Sequence, residues 1–467
     1  MTDHHAAADA EDPDPTTTDR GAASPLVVLG DGGLARTVCA SLVERGRTVR
    51  HLPAADDAEL AEALLGNGSG QDAGAAAGGL AVLSHDDHVA LRYALAAAHL
   101  APDVPVVASV FDRTVAGQLT RLVPWCALST PGNLVAPSLA GPCIDAEVLA
   151  ARAPATVVRR SADGPVVAAW RPDAADRRRT RLGRMSGQLR PYDAGSRILL
   201  GGLAGLVAVL VADFAWLATV FEQPPSEAFF DAARVVATVG PAAAPQDETG
   251  YLVASALAIL VTVVLTASFT AGLVERLLGP RLVGLVGRRA LPRRGHVVVV
   301  GLGQVGLRLC QELRGLGLPV VAVERSAGAP SVRRARALRI PVVIGDGEDR
   351  EVLERVHLAR ARALACVGSD DLDNIAVAVA AHAVAPGVRV VLRAGEDEAI
   401  RETRSLLPLG TTRDVTAAAA CWVVARLVGE QPVGLVADVH DVWLDLPGRG
   451  LTVWPTASRD RCPHVGG

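Results

Sequence analysis

The chain of 467 residues contains no lysine, and all 46 of its basic residues are arginine. With only three tyrosines beside that absence, the Tyr/Lys pairing of many oxidoreductases is excluded. Aromatic residues make up 3% of the chain, so its interior must pack on Ala, Val and Leu. The seven cysteines form no CxxC pair, which removes the spacing of a zinc site or a disulfide framework and reads as reduced, mostly buried thiols. No basic segment followed by an apolar run opens the sequence, so residues 1–24 read as a polar, disordered cytosolic tail and not as a secretory signal. The His4-His5 pair within it has no partner cluster, reads as tail composition, and no metal site is expected. A formal net charge of -4 argues against a nucleic-acid binder, whose phosphate contacts call for a basic surface.

What is present in excess is hydrophobicity: half the residues are apolar, and the mean hydropathy is +0.30. Two windows, residues 198–221 and 251–274, are long enough to cross a bilayer, since about 20 residues suffice. The first carries one charge, Asp213, and the second none. Arginines crowd the far side of each window, from Arg171 to Arg197 and from Arg276 to Arg294, whereas the intervening loop holds Arg234 alone against five acids. The bias of arginine toward the cytoplasm then puts both ends of a multi-pass plasma-membrane protein inside, with anionic lipid headgroups as partners of the arginine runs. Asp213 is costly in a span and needs a partner or water, either Arg234 or an ion vestibule, unless it sits at an interface.

After the second arginine cluster, HVVVVGLGQVGLRLCQELRGLGLPVVAVE reads as strand, glycine turn, helix, strand. Gly301, Gly303 and Gly306 fill GxGxxG in that setting, where the three glycines serve the tight turn, the approach of a pyrophosphate and helix-to-strand packing. Glu324 ends the next strand 23 positions after Gly301, where an acid accepts from ribose hydroxyls. Further apolar strands alternate with helices and predict a doubly wound parallel sheet. Gly345 and Asp346 follow its third strand and Asp370, Asp371, Asp373 and Asn374 its fourth, at the ligand-binding edge; Asp370 and Asp371 serve equally well as helix caps.

The same grammar occurs earlier, so the chain contains an internal repeat. PLVVLGDGGLARTVCASLVERGRTVRHL is strand, turn, helix, strand, and GLAVLSHDDHVALRYALAAAHLAPDVPVVASV parallels ALACVGSDDLDNIAVAVAAHAVAPGVRVVLRA. The first copy is degraded. Its turn holds Gly30, Gly32 and Ala35, its second strand ends in Arg50, His51 and Leu52 without an acid, and GNGSGQDAGAAAGG replaces the GD block. Fifty-six positions separate Gly30 from Asp86, against 69 from Gly301 to Asp370, which predicts that one strand-helix element is shortened or rebuilt. Gly30, Gly32 and Ala35 are thus a second, weaker candidate nucleotide site.

The fingerprint with its GD, DD-x-x-N and VRVVLRA blocks resembles the regulator-of-K⁺-conductance family, the TrkA-N-type domains of prokaryotic potassium channels and transporters. The resemblance is good over residues 295–407 and weaker over 25–140. It implies binding of NAD, NADH or another adenine nucleotide at Gly301, Gly303, Gly306, Glu324, Asp346 and Asp370. The two windows and their loop resemble the two-span, one-pore-loop unit of potassium channels, with SEAFFDAARVVATVG in the place of the pore helix. Thr238, Val239 and Gly240 match the start of TVGYG; Pro241 and Ala242 then replace tyrosine and glycine, and proline's fixed φ is incompatible with assuming a standard outer filter. The resemblance implies K⁺ as the transported ion and a homotetramer, because one pore loop per chain closes a pore in fours.

The expected architecture is α/β plus membrane α, with two Rossmann-like doubly wound parallel-sheet domains flanking a two-helix transmembrane pore-like unit. The boundaries read as 25–150 for the degenerate domain, 151–197 for a basic linker, and 198–274 for the membrane unit with its loop at 222–250. A basic linker at 275–294, the nucleotide domain at 295–430 and an unassigned extension at 431–467, within which DVHDVWLDLP reads as strand-like, follow. The expected function is potassium transport regulated by an adenine nucleotide; the alternative is a non-conducting nucleotide sensor or transporter subunit. No enzymatic activity is expected, since neither a substrate domain nor an HExxH or GxSxG motif accompanies the fingerprint.

Overall fold

The computed structural model describes residues 24–456 apart from 67–74, 85, 111–112, 163, 172–193, 241–248, 279–291, 293 and 396–408. The tail, Pro241, Ala242 and most of both arginine clusters lie outside the described residues.

The first unit alternates strand and helix: β1 (Leu26–Leu29), α1 (Gly33–Glu44), β2 (Val49–Leu52), α2 (Asp57–Leu65), β3 (Gly79–Val82), α3 (Asp87–Leu100), β4 (Val106–Ser109), α4 (Arg113–Leu122) and β5 (Ala127–Ser129). The strands form a parallel sheet in the order β2-β1-β3-β4-β5. Helix α5 (Pro131–Ile144) follows, then β6 (Val148–Arg152), β7 (Thr156–Ser161) and β8 (Gly164–Ala169) in a small antiparallel sheet. The segment expected to begin a basic linker at residue 151 therefore opens as two strands. In β7, Val157 and Val158 are buried while Arg159 and Arg160 on the same strand are not.

Between the two sheet-bearing units lie three helices, α6 (Ala194–Thr219), α7 (Pro225–Val236) and α8 (Thr249–Leu278). Within α6 and α8, Ile198–Thr219 and Thr249–Val274 are long and apolar enough to cross a membrane and are mostly not covered by the rest of the chain. These two helices approach each other at glycine. A Cβ at Gly202 would sit 2.9 Å from the Phe269 nitrogen, and one at Gly205 would sit 2.6 Å from Leu265 Cδ2, so only small residues permit the crossing. Helix α7 buries Ala228, Ala232 and Val235, the first two in a cluster with Leu217 of α6 and Tyr251 of α8. Asp213 is 9% exposed and meets the Tyr251 hydroxyl; no ion pair joins it to Arg234.

The second unit repeats the first: β9 (Val297–Val300), α9 (Gln304–Gly315), β10 (Val320–Glu324), α10 (Pro330–Ala337), β11 (Val342–Ile344), α11 (Arg350–Arg355), β12 (Ala363–Cys366), α12 (Asp371–Val384), β13 (Arg389–Ala394) and β14 (Thr411–Asp414). Its parallel sheet has the order β11-β10-β9-β12-β13-β14, one strand more than the first. In the first sheet β1 is flanked by β2 and β3, just as β9 is flanked by β10 and β12. Among the described residues the strand without a counterpart is β11, the element that the spacing predicted to be rebuilt. Helix α13 (Val415–Leu427) and the antiparallel sheet of β15 (Gly434–Ala437), β16 (Val442–Leu446) and β17 (Gly450–Trp454) complete the unit. Residues 431–456 thus repeat β6 to β8.

The two units exchange their last helices. Helix α5, from the first unit, packs on α9 and the second sheet; α13, from the second, packs on α1 and across β3, β4 and β5. One apolar core accordingly holds residues of both, from Leu26 and Val38 through Leu139 to Leu309 and Val424. The exchange is pinned by Arg413, which is 1% exposed. Its Nε donates to the Ser138 carbonyl at 3.2 Å and its Nη1 lies 3.0 Å from Asp438 Oδ1, while Arg160 pairs with the same carboxylate. The two small sheets meet at Leu149, Ala150, Val158, Val436 and Trp443.

Among the described cysteines every thiol is buried, and burial pushes those of Cys126, Cys143, Cys310 and Cys421 up to about 12. Burial acts on His296 in the opposite sense. This residue precedes β9, is fully buried, has Nε2 2.8 Å from the Val356 carbonyl, and has its pKa lowered to about 4. The unfolded chain takes up the proton near the ordinary value of about 6.5 and the folded one does so only near 4, so stability falls as pH drops between these limits. Thermal melting of the solubilised protein should show a loss of about 3 kcal/mol from pH 6.5 to 4 that a His296→Gln variant lacks. Equal pH slopes in the two proteins would refute it.

Candidate functional site

The all-valine β9 runs straight into the glycine turn. Gly301 stands at φ +88, and a Cβ there would lie 2.6 Å from the Gly368 nitrogen. Gly306 faces back along α9, where a Cβ would come within 2.0 Å of the Gly301 carbonyl oxygen. Gly303 differs from both: it is the N-cap of α9 in extended backbone, and a Cβ would meet nothing within 4 Å. Its missing side chain leaves space in front of the N-terminus of α9, whose unpaired N–H groups and dipole favour an anion.

Glu324 closes β10. Its Oε2 accepts from Leu302 N at 2.9 Å and its Oε1 from Ser326 N at 3.1 Å, so the carboxylate is fixed beside the turn. Asp346, after β11, accepts from Glu348 N at 3.1 Å and pairs with Arg325 Nε at 3.0 Å. Asp370 acts as the N-cap of α12, accepting from Leu372 N and Asp373 N. Asn374, which is 3% exposed, holds the loop after β12 by accepting from Gly368 N at 2.8 Å and donating to the Gly368 carbonyl at 3.2 Å.

A cavity of about 1020 Å³ opens at this edge. Gly301, Gly303, Glu324 and Asp346 line it; Gly306 and Asp370 do not. Gly306 lies behind the turn it makes possible, and Asp370 is occupied in capping, one of the two roles the sequence allowed. Sequence reasoning missed the far wall, because it belongs to the other copy: Gly33, Leu34 and Arg36 from α1, and Pro131 and Gly132 from the start of α5. Thr416 of the exchanged α13 joins them. It also missed Arg325, although that residue directly follows Glu324, and Arg393, which stands in the VRVVLRA block.

The first unit's own turn is built differently. Gly30 takes φ +139, and Ala35 occupies the position of Gly306 without a clash at the turn. The register of β1 and β2 places Pro53 where Glu324 stands, since Gly30 N bonds to the Leu52 carbonyl as Gly301 N does to that of Val323. Gly30 and Gly32 thus keep the turn, but the acid and the strand that would complete the adenosine half are absent from the described sheet. Between the two long apolar helices, Thr238 and Gly240 follow α7 with φ of +58 and +98, and Val239 is exposed.

Residues 297–411 match the TrkA-N domain. Over 111 residues the chain is 31% identical to a putative K(+) efflux antiporter KefB from Alkalimonas amylolytica, a match covering 23% of this chain and 16% of that protein. Over 99 residues it is 22% identical to Potassium channel protein 1 from Methanocaldococcus jannaschii, covering 21% of this chain and 30% of that one. The chain thus matches less than a third of the length of either. Among solved structures, the GsuK channel bound to NAD aligns with 86% of this chain and 63% of its own at 15% identity and a TM-score of 0.46.

Proposed function

We propose that this chain is a membrane protein of potassium transport whose cytosolic cavity takes NAD, NADH or another adenine nucleotide, and that the bound nucleotide biases an ion path formed with the membrane unit. The observation that carries the reading is the cavity edge at Gly303, where an empty approach to a helix N-terminus adjoins a fixed ribose-type acid, Glu324. These residues fit a dinucleotide: the pyrophosphate faces α9, one ribose faces Glu324, and the volume is of the size that small-molecule cofactors fill. In this reading Gly301 and Gly306 shape the turn, Asp346 and Asp370 support the adenosine side indirectly, and the role is regulatory, without catalysis.

The membrane unit would act as a homotetramer in the plasma membrane, with both termini cytoplasmic, anionic headgroups against the arginine runs, and Thr238, Val239 and Gly240 at the ion path. The dipole of α7 directs its negative end toward these residues, which favours a cation there. Nucleotide regulates such a path only by binding one of its states better than the other. A non-conducting sensor or subunit is the second reading, favoured by Pro241 and Ala242 in the filter-like sequence.

Purified protein in liposomes should pass K⁺ or Tl⁺ in preference to Na⁺, with a rate changed by NAD or NADH. No flux from folded, nucleotide-binding protein would favour the sensor. Calorimetry should give one nucleotide per chain, because Pro53 and the missing strand leave the Gly30, Gly32, Ala35 turn without an adenosine half; two per chain would overturn that asymmetry.

A further inference from the structure

An adenine ring is usually held between flat or apolar surfaces, and proteins commonly supply one from an aromatic side chain. This cavity has none among its lining residues, in keeping with a chain whose aromatic content is 3%. Three arginines line it instead. Arg393 donates Nη1 to the Gly368 carbonyl on the β12 side, and Arg36 belongs to the first unit, where its Nη1 donates to the Asp31 carbonyl. Arg325 is the one that adjoins the ribose acid, Glu324, and so borders the space where the base attached to that ribose would lie.

The guanidinium of Arg325 is held by its edges. Nε lies 3.0 Å from Asp346 Oδ2, and Nη2 lies 3.5 Å from Asp373 Oδ2 and 4.0 Å from Glu348 Oε1. These carboxylates come from the loop after β11 and the first turn of α12, on opposite sides of the glycine turn, so the side chain spans the mouth of the adenosine half. Edge contacts fix the plane and leave its two faces uncommitted, and the side chain stays 60% exposed. A planar, delocalised cation in that posture stacks on an aromatic ring, which an ammonium group does not.

We propose that Arg325 is the stacking platform for the adenine base and that Asp346 and Asp373 are positioning residues that act through it. This rests on the reading that the cavity takes an adenine nucleotide. It gives Asp346 a role without contact to the ligand, and it makes the site selective for nucleotides carrying a purine over those that share only the phosphates and ribose.

The test is titration calorimetry of the full chain with NAD, ADP-ribose and nicotinamide mononucleotide, on wild type, Arg325→Lys, Arg325→Ala and Asp373→Asn. Arg325→Lys keeps the charge and loses the plane, so NAD and ADP-ribose should bind roughly tenfold more weakly to it, and no better than to Arg325→Ala. Asp373→Asn should lose a smaller factor, while nicotinamide mononucleotide, which has no adenine, should bind all four proteins alike. Wild-type affinity in Arg325→Lys with loss in Arg325→Ala would make the residue a charge partner and overturn the proposal, as would full affinity in both. Wild type that binds none of the three ligands would instead remove the nucleotide reading, and the proposal with it. Unchanged melting temperatures separate these outcomes from misfolding.

Discussion

A Gly303→Val variant is expected to melt at the wild-type temperature and to bind NAD roughly a hundredfold more weakly. The backbone at Gly303, φ −67 and ψ −162, is one that valine adopts without strain, and an added Cβ meets nothing within 4 Å. The fold therefore does not register the change. The ligand does, because the new side chain occupies the approach to the N-terminus of α9 and the pyrophosphate loses its charge-assisted bonds there. The factor corresponds to about 2.7 kcal/mol, the loss of one to two such bonds at about 1.5–3 kcal/mol each. Gly306→Ala should weaken binding by another route, forcing the Gly301 carbonyl away by more than an ångström and opening the turn toward the Gly30 geometry seen beside Ala35. Calorimetry and thermal melting on the same samples check both. Wild-type affinity in Gly303→Val would mean that no phosphate sits at α9.

Asp438→Ala should be the most damaging single change in the sheet-bearing units, costing about 3–5 kcal/mol and lowering the melting temperature by roughly 10 °C. Arg413 is 1% exposed, and burial already lowers its pKa to about 10. Without the Asp438 carboxylate that cation stays inside with carbonyls alone, those of Ser138 and Thr412. Replacing both partners by apolar residues, Arg413→Met with Asp438→Leu, should recover most of the loss, since no charge then remains to be desolvated. A melt of Asp438→Ala within 2 °C of wild type would show that water reaches the pair.

The elements that announced themselves in sequence are those whose pattern is local. VVVV followed by GLGQVG dictates strand and turn because its spacing alone sets the geometry, and Glu324 follows from strand length. The lack of a β11 counterpart among the described residues was legible as a shortfall in spacing between Gly30 and Asp86. What the sequence concealed depends on contacts between distant segments. Nothing about PGNLVAPSLAGPCI says that the helix it forms will lie on the other unit, and no spacing relates Gly33 or Pro131 to a cavity whose fingerprint begins at Gly301. Asp370 was ambiguous for a related reason, since an aspartate after a strand reads alike as a cap and as a ligand contact. The strands at 156–169 were not read because each is short and lies outside the repeat's grammar, whereas DVHDVWLDLP, which contains the strand Val442–Leu446, already read as strand-like.

The exchange of α5 and α13 also sets an order of events during synthesis. The first sheet is complete once β5 has been made, yet the helix that covers β3, β4 and β5 ends at Leu427, with a Leu427 methyl carbon 3.4 Å from where a Gly79 side chain would begin. About 300 residues intervene, both long apolar helices among them, which at ordinary rates of translation is roughly 15–60 s. Through that interval an apolar sheet face stands open at the ribosome while its cover is not yet translated. The N-terminal unit is thus the first to be synthesised and among the last to close, and chaperone dependence should fall on it.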